Sequence, residues 1–208
     1  MAVVMDEETP HIEVRAVQVD DAPDLYKLEH DFETDRVYTL HVRDHLLPQA
    51  APEELSRLAF AFDLLETQVD PPIYKDFFTG RTLEDVAQQL QEIEGGYVAI
   101  AEGHIAGAIL LSIDPQHAVM RIQDVIVGRQ YRRYGVGSLL LRCAADWARK
   151  RDCWAMVLET QNIDYPAIQF YLHNGLEIWG IQQHFYPPGS SEHEIAILMG
   201  KRLASNAT

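Results

Sequence analysis

The sequence predicts an α/β (α+β) protein in which a mixed β-sheet is flanked by helices. Three apolar segments joined by short turns predict an antiparallel meander, at residues 97–101, 104–113 and 118–127. Helical and strand-like segments then alternate, with helices at 136–151 and 165–174 and strands at 154–159, 176–186 and 193–199. This order favours one sheet of about six to seven strands with helices packed on it.

The N-terminal part of the chain shows weaker patterns. Residues 12–17 alternate apolar and polar side chains, as in a half-buried strand. Two acids, Asp20 and Asp21, precede a short helical pattern, where their charge suits the first turn. Thr82 is the predicted N-cap of a helix over 83–93.

Residues 34–80 are the least informative region. Residues 37–40 indicate a short strand, and a second apolar-periodic stretch begins at Pro52. The pair Pro71-Pro72 is predicted to end that stretch, because proline has no amide hydrogen with which to continue a helix or an inner strand.

The composition is that of a globular protein and excludes several classes. Hydrophobic residues make up 47% of the 208 residues, too many for a disordered chain. The net charge of −15 argues against nucleic-acid and anionic-membrane binding. No apolar run approaches the roughly 20 residues that cross a bilayer, and the N-terminus lacks a signal-peptide pattern, so a cytoplasmic location is expected. Cys143 and Cys153 have no disulfide-framework or metal-ligand spacing, so no metal is expected.

The most informative segment runs from Val125 to Leu141. A strand ends, a short basic loop follows, and Gly135 and Gly137 open an apolar helix. Such a turn brings free backbone amides and the positive end of the helix dipole to one point, which is an anion-binding arrangement. The Rossmann pattern requires a third glycine where Leu140 stands, and the Walker pattern requires a lysine that this segment lacks.

The spacing Arg132-x-x-Gly135-x-Gly137 resembles the Arg/Gln-x-x-Gly-x-Gly/Ala signature of the GNAT family of N-acetyltransferases, and the resemblance covers about residues 95–200. It implies the GNAT fold, with a sheet splayed between its fourth and fifth strands, and acetyl-CoA as co-substrate. It further implies that the loop binds the pyrophosphate through backbone amides and that the preceding strand pairs with the pantetheine arm. The residues implicated in acetyl-CoA binding are Val125, Ile126, Val127, Arg132, Arg133, Tyr134, Gly135, Val136, Gly137, Ser138, Asn162 and Tyr171.

N-acetylation needs a proton for the departing thiolate and a base or water relay for the attacking amine. Residues 167–175 resemble the family's second cofactor motif, in which a helix tyrosine faces the thiol sulfur. Tyr171 is therefore the implied acid, and a core aromatic is the alternative. Asp124 and Glu159 are the candidate bases, because each is a carboxylate in an otherwise apolar strand, where burial raises a pKa. Pairing with an arginine or a backbone group is the alternative for both.

Strict alternation places Asp124 on the same face as Ile122 and Ile126. Asn162 follows the strand predicted at 154–159. It holds the co-substrate, holds the next helix or serves in a turn.

Several segments resemble one branch of the family, the streptothricin acetyltransferases, which acetylate an amine of a cationic antibiotic that bears β-lysine. They are residues 121–127, 132–140, 147–150, 157–162 and 170–171. The resemblance implies acetyl transfer to a primary amine of a small cationic molecule, streptothricin-like or polyamine-like, by direct attack in a ternary complex. Acetylation of a protein N-terminus or lysine is one alternative, and a catalytically weak acyl-CoA sensor is another. A monomer or a homodimer is expected.

One domain is expected over residues 1–208: a flexible segment at 1–11, an acceptor-side part at 12–94 and an acetyl-CoA-binding core at 95–202. The charge follows this division. Residues 1–100 carry 22 acids and 7 Lys or Arg, whereas residues 101–208 carry 10 of each. A cationic acceptor and an anionic donor would fit this partition, and a solvated acidic surface is the alternative.

Overall fold

The computed structural model describes residues 11–43, 61–189, 191 and 193–204. The strands in these ranges are β1 (Ile12–Ala16), β2 (Asp31–Arg43), β3 (Ala61–Asp76), β4 (Gly95–Ala101), β5 (His104–Asp114), β6 (Val119–Val127), β7 (Ala155–Gln161), β8 (Glu177–Gln182) and β9 (Ala196–Arg202). The helices are α1 (Ala22–Leu25), α2 (Leu83–Glu92), α3 (Val136–Arg149) and α4 (Tyr165–His173). The expected flexibility before residue 11 and the beginning of the periodic stretch at Pro52 lie outside the described residues.

One mixed sheet, in the order β1-β4-β5-β6-β7-β9-β8, dominates the described part of the chain. The fourth and fifth strands across this sheet, β6 and β7, are parallel and pair only over Val119–Arg121 and Ala155–Val157. The other neighbouring strands are antiparallel. Beyond the short parallel ladder β6 and β7 separate, so the predicted mixed sheet and its splay are confirmed.

A β-bulge in β6 coincides with this separation. Ile122 and Asp124 pair with consecutive residues of β5, so Gln123 is an extra residue. A bulge bends its strand and increases the local twist, which turns the second half of β6 away from β7. The bulge also changes side-chain parity, because Ile122 packs with α3 whereas Ile126 packs with α1 and α2. The predicted common face of Asp124 and Ile122 is therefore wrong.

Helices cover both faces of the sheet. Helix α3 buries a stripe with helical spacing, including Val136, Leu140 and Ala144, and packs together with α4 on one face. Helices α1 and α2 pack on the other face through Leu25 and Leu90. Each such buried leucine contributes about 1.5–3 kcal/mol of transfer free energy, so both layers hold the strands that carry the site.

Strands β2 and β3 form a separate two-stranded sheet that is much longer than the short strand predicted at 37–40. The prediction that Pro71-Pro72 ends the preceding element is wrong, because β3 continues through both prolines. The register shifts between Thr34 and Arg36, and residues 69–72 have no paired partner in β2. Prolines are tolerated there because an irregular stretch requires no ladder hydrogen bond from them.

Most other element boundaries agree with the predictions to within a few residues. Thr82 caps α2 and accepts a hydrogen bond from the Asp85 amide at 3.2 Å. The pair Gly95-Gly96 begins β4, three residues after the end of α2. A Cβ atom on Gly95 would lie 2.6 Å from the ring of Trp147, so the close packing of α3 requires glycine at this position.

No helix within the described ranges is long and apolar enough to cross a membrane. The same residues contain no group of three or more His, Cys, Asp or Glu side chains placed to hold a metal ion. Cys143 and Cys153 are both free cysteines.

Candidate active site

A cleft of about 730 Å³ lies between the C-terminal end of β6, the N-terminus of α3 and one side of α4. The cleft also reaches residues 29–32, where β2 begins, and Phe77, which follows β3. This volume is typical of sites for small molecules and cofactors. The predicted co-substrate residues that line it are Val125, Val127, Arg132, Arg133, Gly135, Val136, Gly137, Ser138 and Tyr171.

The N-terminus of α3 faces the cleft with backbone amides that have no acceptor within the helix. Gly135 is the N-cap, with φ of 80° and no side-chain cap, and the first intrahelical bond is from the Leu139 amide to the Gly135 carbonyl at 3.0 Å. The amides of residues 136–138 therefore have no acceptor inside the helix. A Cβ atom on Gly135 would meet nothing within 4 Å, so the approach to these amides is open. The arrangement suits an anion such as a pyrophosphate.

Two neighbouring arginines have different surroundings. The Arg132 guanidinium donates to the Val127 carbonyl, the Glu29 carbonyl and the Asp31 carboxylate, each at 3.1 Å. Arg133 is exposed, lies at the rim of the cleft and has φ of 74°. Arg132 thus ties the loop to the start of β2, whereas Arg133 is exposed beside the cleft.

We expect Arg133→Ala to raise the KM for acetyl-CoA about 5- to 10-fold without changing the free energy of unfolding, since an exposed charge-assisted contact is lost. Alanine and arginine have the same conformational cost at positive φ, so backbone strain at residue 133 is equal in the variant and the native protein. Arg132→Ala is expected to lower the free energy of unfolding by about 1–2 kcal/mol. Steady-state kinetics and urea unfolding measure both effects, and an unchanged KM in Arg133→Ala would exclude a phosphate contact.

The second half of β6 offers an unpaired edge. Its residues beyond Arg121 have no strand partner on the β7 side in the described part of the chain. An extended arm that contains amide groups can add to such an edge as a further strand. Of the predicted strand residues, Val125 and Val127 line the cleft, while the Ile126 side chain is 4% exposed and packs on the opposite face.

Tyr171 lies on α4 and lines the cleft with a side chain that is almost completely buried. Its hydroxyl makes no hydrogen bond to the described residues. Burial raises the pKa of this phenol far above its ordinary value, and the carboxylates of Asp164, Asp124 and Glu159 raise it further. Tyr171 is therefore protonated at any physiological pH and able to donate. The three carboxylates are therefore close enough to Tyr171 to disfavour the ionised form of its phenol.

Asp124 does not line the cleft. Its carboxylate is 3.5 Å from the His30 Nε2 atom and 3.8 Å from the Arg81 guanidinium, and its side chain is 10% exposed. Burial raises its pKa, although both neighbours oppose this. His30, unlike Asp124, is one of the residues that line the cleft.

Glu159 lies near the C-terminal end of β7 and also falls outside the cleft lining. It accepts a hydrogen bond from the Tyr186 hydroxyl on the loop after β8. Burial raises the pKa of Glu159, and the nearby Glu194 raises it further. Glu194 itself accepts from the Lys75 ammonium at 2.6 and 2.8 Å, which joins β3 to the same loop.

Asn162 joins three segments of chain. Its side-chain amide donates to the Tyr38 carbonyl at 2.7 Å and its side-chain oxygen accepts from the Ile195 amide at 2.9 Å. These contacts match the turn role and connect β7 to β2 and to the residue before β9. Tyr134, like Asn162, is not among the lining residues.

His30 and Asp164 are among the cleft residues that sequence reasoning missed. Asp164 is the N-cap of α4, is 8% exposed and accepts from the Ala167 amide at 3.1 Å. Burial raises its pKa to about 6. An acid directly before Tyr165-Pro166 is a helix-start signal that could have identified the cap. His30 has no local signal, because its partners come from distant segments.

We expect Asp164→Asn to gain stability relative to the native protein as pH rises from about 4 to 7. The folded-state pKa of about 6 exceeds the ordinary 3.8, so between these values the unfolded state binds fewer protons and native stability falls with pH. Asparagine keeps the cap, so the gain approaches about 3 kcal/mol at most. Urea unfolding at several pH values measures it. A difference that does not vary with pH would contradict the raised pKa.

Comparison with known proteins agrees with this geometry. The model of the GNAT acetyltransferase family matches residues 61–176. Streptothricin acetyltransferase of Streptomyces lavendulae is 30% identical over 190 residues, which cover 90% of this chain and 93% of that protein. The crystal structure of nourseothricin acetyltransferase has a TM-score of 0.74 at 25% identity and covers 93% of this chain and 99% of that one. A Bacillus anthracis structure with bound acetyl coenzyme A has a TM-score of 0.72 at 22% identity, with the same coverage, and shares the fold.

The protein has a sheet whose strands β6 and β7 separate beside the uncapped N-terminus of α3. Together with these similarities, this geometry defines an acetyltransferase. The chain belongs to the GNAT family and is an acetyl-CoA-dependent N-acetyltransferase close to the streptothricin acetyltransferases. The predicted family and the predicted enzyme class are therefore confirmed.

Proposed function

We propose that this enzyme transfers the acetyl group of acetyl-CoA to a primary amine of a small cationic molecule of the streptothricin or polyamine type. The similarity to the Streptomyces lavendulae enzyme over 90% of the chain carries this proposal. A match of that length includes the β2–β3 hairpin and not only the acetyl-CoA-binding core. The expected reaction is direct attack of the amine on the thioester in a ternary complex.

The acidic hairpin supports a cationic acceptor. Its acids are Asp31, Glu33, Asp35, Asp63, Glu66, Asp70 and Asp76, against Arg36, Arg43 and Lys75. The hairpin lies against α4, because the Gln169 side chain donates to the Tyr38 hydroxyl at 2.9 Å. Acidic groups beside a cleft attract a polycation over distances of about a Debye length, near 10 Å at moderate salt.

The opposite side of the cleft suits the anionic donor. The amides of residues 136–138 and the Arg133 side chain would hold the pyrophosphate, and the free edge of β6 would hold the pantetheine arm. Acetyl-CoA supplies a thioester carbonyl that an amine can attack. The open space at Gly135 and the cleft volume both fit this co-substrate.

The proposed acid lines the cleft, whereas the two candidate bases do not. Tyr171, protonated and without a hydrogen-bond partner among the described residues, would donate a proton to the departing sulfur. Glu159 and Asp124 stay candidate bases, since a carboxylate with a raised pKa suits proton acceptance near neutral pH. Neither lines the cleft, so each would act through a neighbour or through water.

A thiol-release assay with a panel of amines tests the proposal. The panel contains streptothricin, spermidine, an aminoglycoside, and peptides with a free N-terminus or a lysine. We expect kcat/KM to be at least about 100-fold higher for a small polycation than for any peptide, a difference of about 2.7 kcal/mol. Turnover of peptides alone would support the protein acetyltransferase instead. Binding of acetyl-CoA without turnover of any amine would support the sensor.

Salt should weaken the binding of the acceptor. If the acidic hairpin attracts a polycation, the KM for that polycation should rise several-fold between about 50 and 300 mM NaCl, because the Debye length shortens over this range. Ethanolamine at matched ionic strength is the control, since a single positive charge gains less from the hairpin. A KM for the polycation that does not respond to salt would leave the acidic half as a solvated surface.

A further inference from the structure

His30 occupies a defined place between the hairpin and β6. Its carbonyl accepts from the Phe77 amide at 2.8 Å, which anchors the backbone beside the cleft. The imidazole packs against the rings of Phe77 and Phe78, with centroids 4.9 and 5.1 Å away. The side chain is 22% exposed, and His30 lines the cleft that contains Tyr171.

The two nitrogens of this imidazole have different surroundings. Nε2 lies 3.5 Å from the Asp124 carboxylate, whereas Nδ1 is buried and has no hydrogen-bond partner in the described part of the chain. A buried polar atom without a partner costs about 1–3 kcal/mol. A histidine backed by a buried carboxylate, with one nitrogen uncommitted, is the arrangement that enzymes use for a positioned base.

Charges of both signs face the ring. Asp124 of β6 and Asp76 at the end of β3 raise its pKa, while Arg81 before α2 and Arg132 after β6 lower it. Burial is the largest influence and lowers the pKa below its ordinary value of 6.5. The imidazole is therefore neutral at pH 7 and able to accept a proton.

We propose that His30 is the catalytic base of this acetyltransferase and that Asp124 is its positioning residue. The proposal rests on the proposed reaction with a primary amine, whatever molecule bears that amine. It assigns the base to a residue that touches the cleft, and it explains why Asp124, which does not line the cleft, is held beside it.

An acceptor that arrives as an ammonium ion transfers one proton from its nitrogen to the His30 imidazole, and the Asp124 carboxylate stabilises the resulting imidazolium through Nε2. The amine lone pair then forms the C–N bond as the C–S bond breaks. The amide nitrogen loses a second proton to solvent, and the departing sulfur takes one from Tyr171. Solvent then removes the proton from His30 and returns one to Tyr171, so one proton is released in each turnover.

The test uses the panel amine that gives the fastest turnover. We expect His30→Gln to lower kcat about 100-fold and to change the KM for acetyl-CoA less than about two-fold. In the native enzyme kcat should fall at a pH below 6.5 as His30 becomes protonated, and this acid limb should disappear in His30→Gln. In Asp124→Asn the limb should move to lower pH, because the carboxylate that raises the pKa of His30 is gone.

Two further variants separate chemistry from structure. His117→Gln is the matched control, since His117 pairs with Asp114 at 3.0 Å on the surface outside the cleft and should leave kcat and the acid limb unchanged. In His30→Ala, added imidazole should restore at least about 10-fold of the lost rate if the ring acts as a base. An unchanged acid limb in His30→Gln, or no rescue in a folded His30→Ala, would overturn the assignment. An enzyme that acetylates only peptides would overturn the proposed acceptor alone, and one that acetylates no amine would overturn both proposals.

Discussion

Replacing Tyr171 with Phe is expected to lower kcat about 100- to 1000-fold while the KM for acetyl-CoA changes less than about two-fold. The departing thiolate needs a proton, and Tyr171 is a protonated donor that is buried in the cleft beside α3. Removing a group that acts mainly in the transition state lowers kcat without weakening substrate binding.

The Tyr171→Phe variant should also fold normally. The hydroxyl makes no hydrogen bond to the described residues, so its removal leaves no unsatisfied partner there, and the ring keeps its contact with Phe170 at 5.2 Å between centroids. Tyr97→Phe is the matched control, because Tyr97 is a half-buried tyrosine of β4 that does not line the cleft. Normal kcat in Tyr171→Phe would remove Tyr171 from the mechanism.

Gly137→Val is expected to lower the free energy of unfolding by about 1–3 kcal/mol and kcat/KM for acetyl-CoA by about 30-fold or more. A Cβ atom at this position would lie 2.8 Å from the ring of Phe170, closer than real contacts allow. Phe170 precedes Tyr171 on α4, so the displaced ring would move the proposed acid. The added methyl groups would also narrow the approach to the amides of α3.

Phe170→Leu tests whether this contact is the cause. If the overlap dominates, the double variant should recover part of both losses, and a double-mutant cycle should show coupling of about 1 kcal/mol or more. Gly180→Val is the control, since a Cβ atom there would be 3.5 Å from Leu198, an ordinary contact. Equal losses in Gly137→Val with and without Phe170→Leu would contradict the steric explanation.

The structure of the loop that opens α3 was predictable because its signals are local. The amide cradle, its glycines and the flanking arginines lie within residues 125–141, and the conformation of such a turn depends on its own sequence. Tyr171 is less local, but it lies on a helix that ends with a recognisable glycine, Gly175 at φ of 78°.

The surroundings of β2 and β3 were predicted poorly because their contacts are distant in sequence. The Asp31 carboxylate meets Arg129 and Arg132 about one hundred residues away, and His30 meets Asp124 across a similar distance. No spacing rule reports such pairs. Arg132 illustrates the effect, because its charge suggested a phosphate contact while its guanidinium joins the loop to β2.

Local sequence patterns predicted the order of strands and helices in the second half, the glycine turn that opens α3 and the family, because helix and strand periods and glycine turns depend on neighbouring residues. The length of the β2–β3 hairpin, the face of Asp124 and the place of His30 became known only from the fold. The physical reason is that cross-strand pairing, a bulge and buried charge pairs depend on partners supplied by remote segments. A single extra residue at Gln123 then reverses a side-chain parity that the alternating pattern predicts.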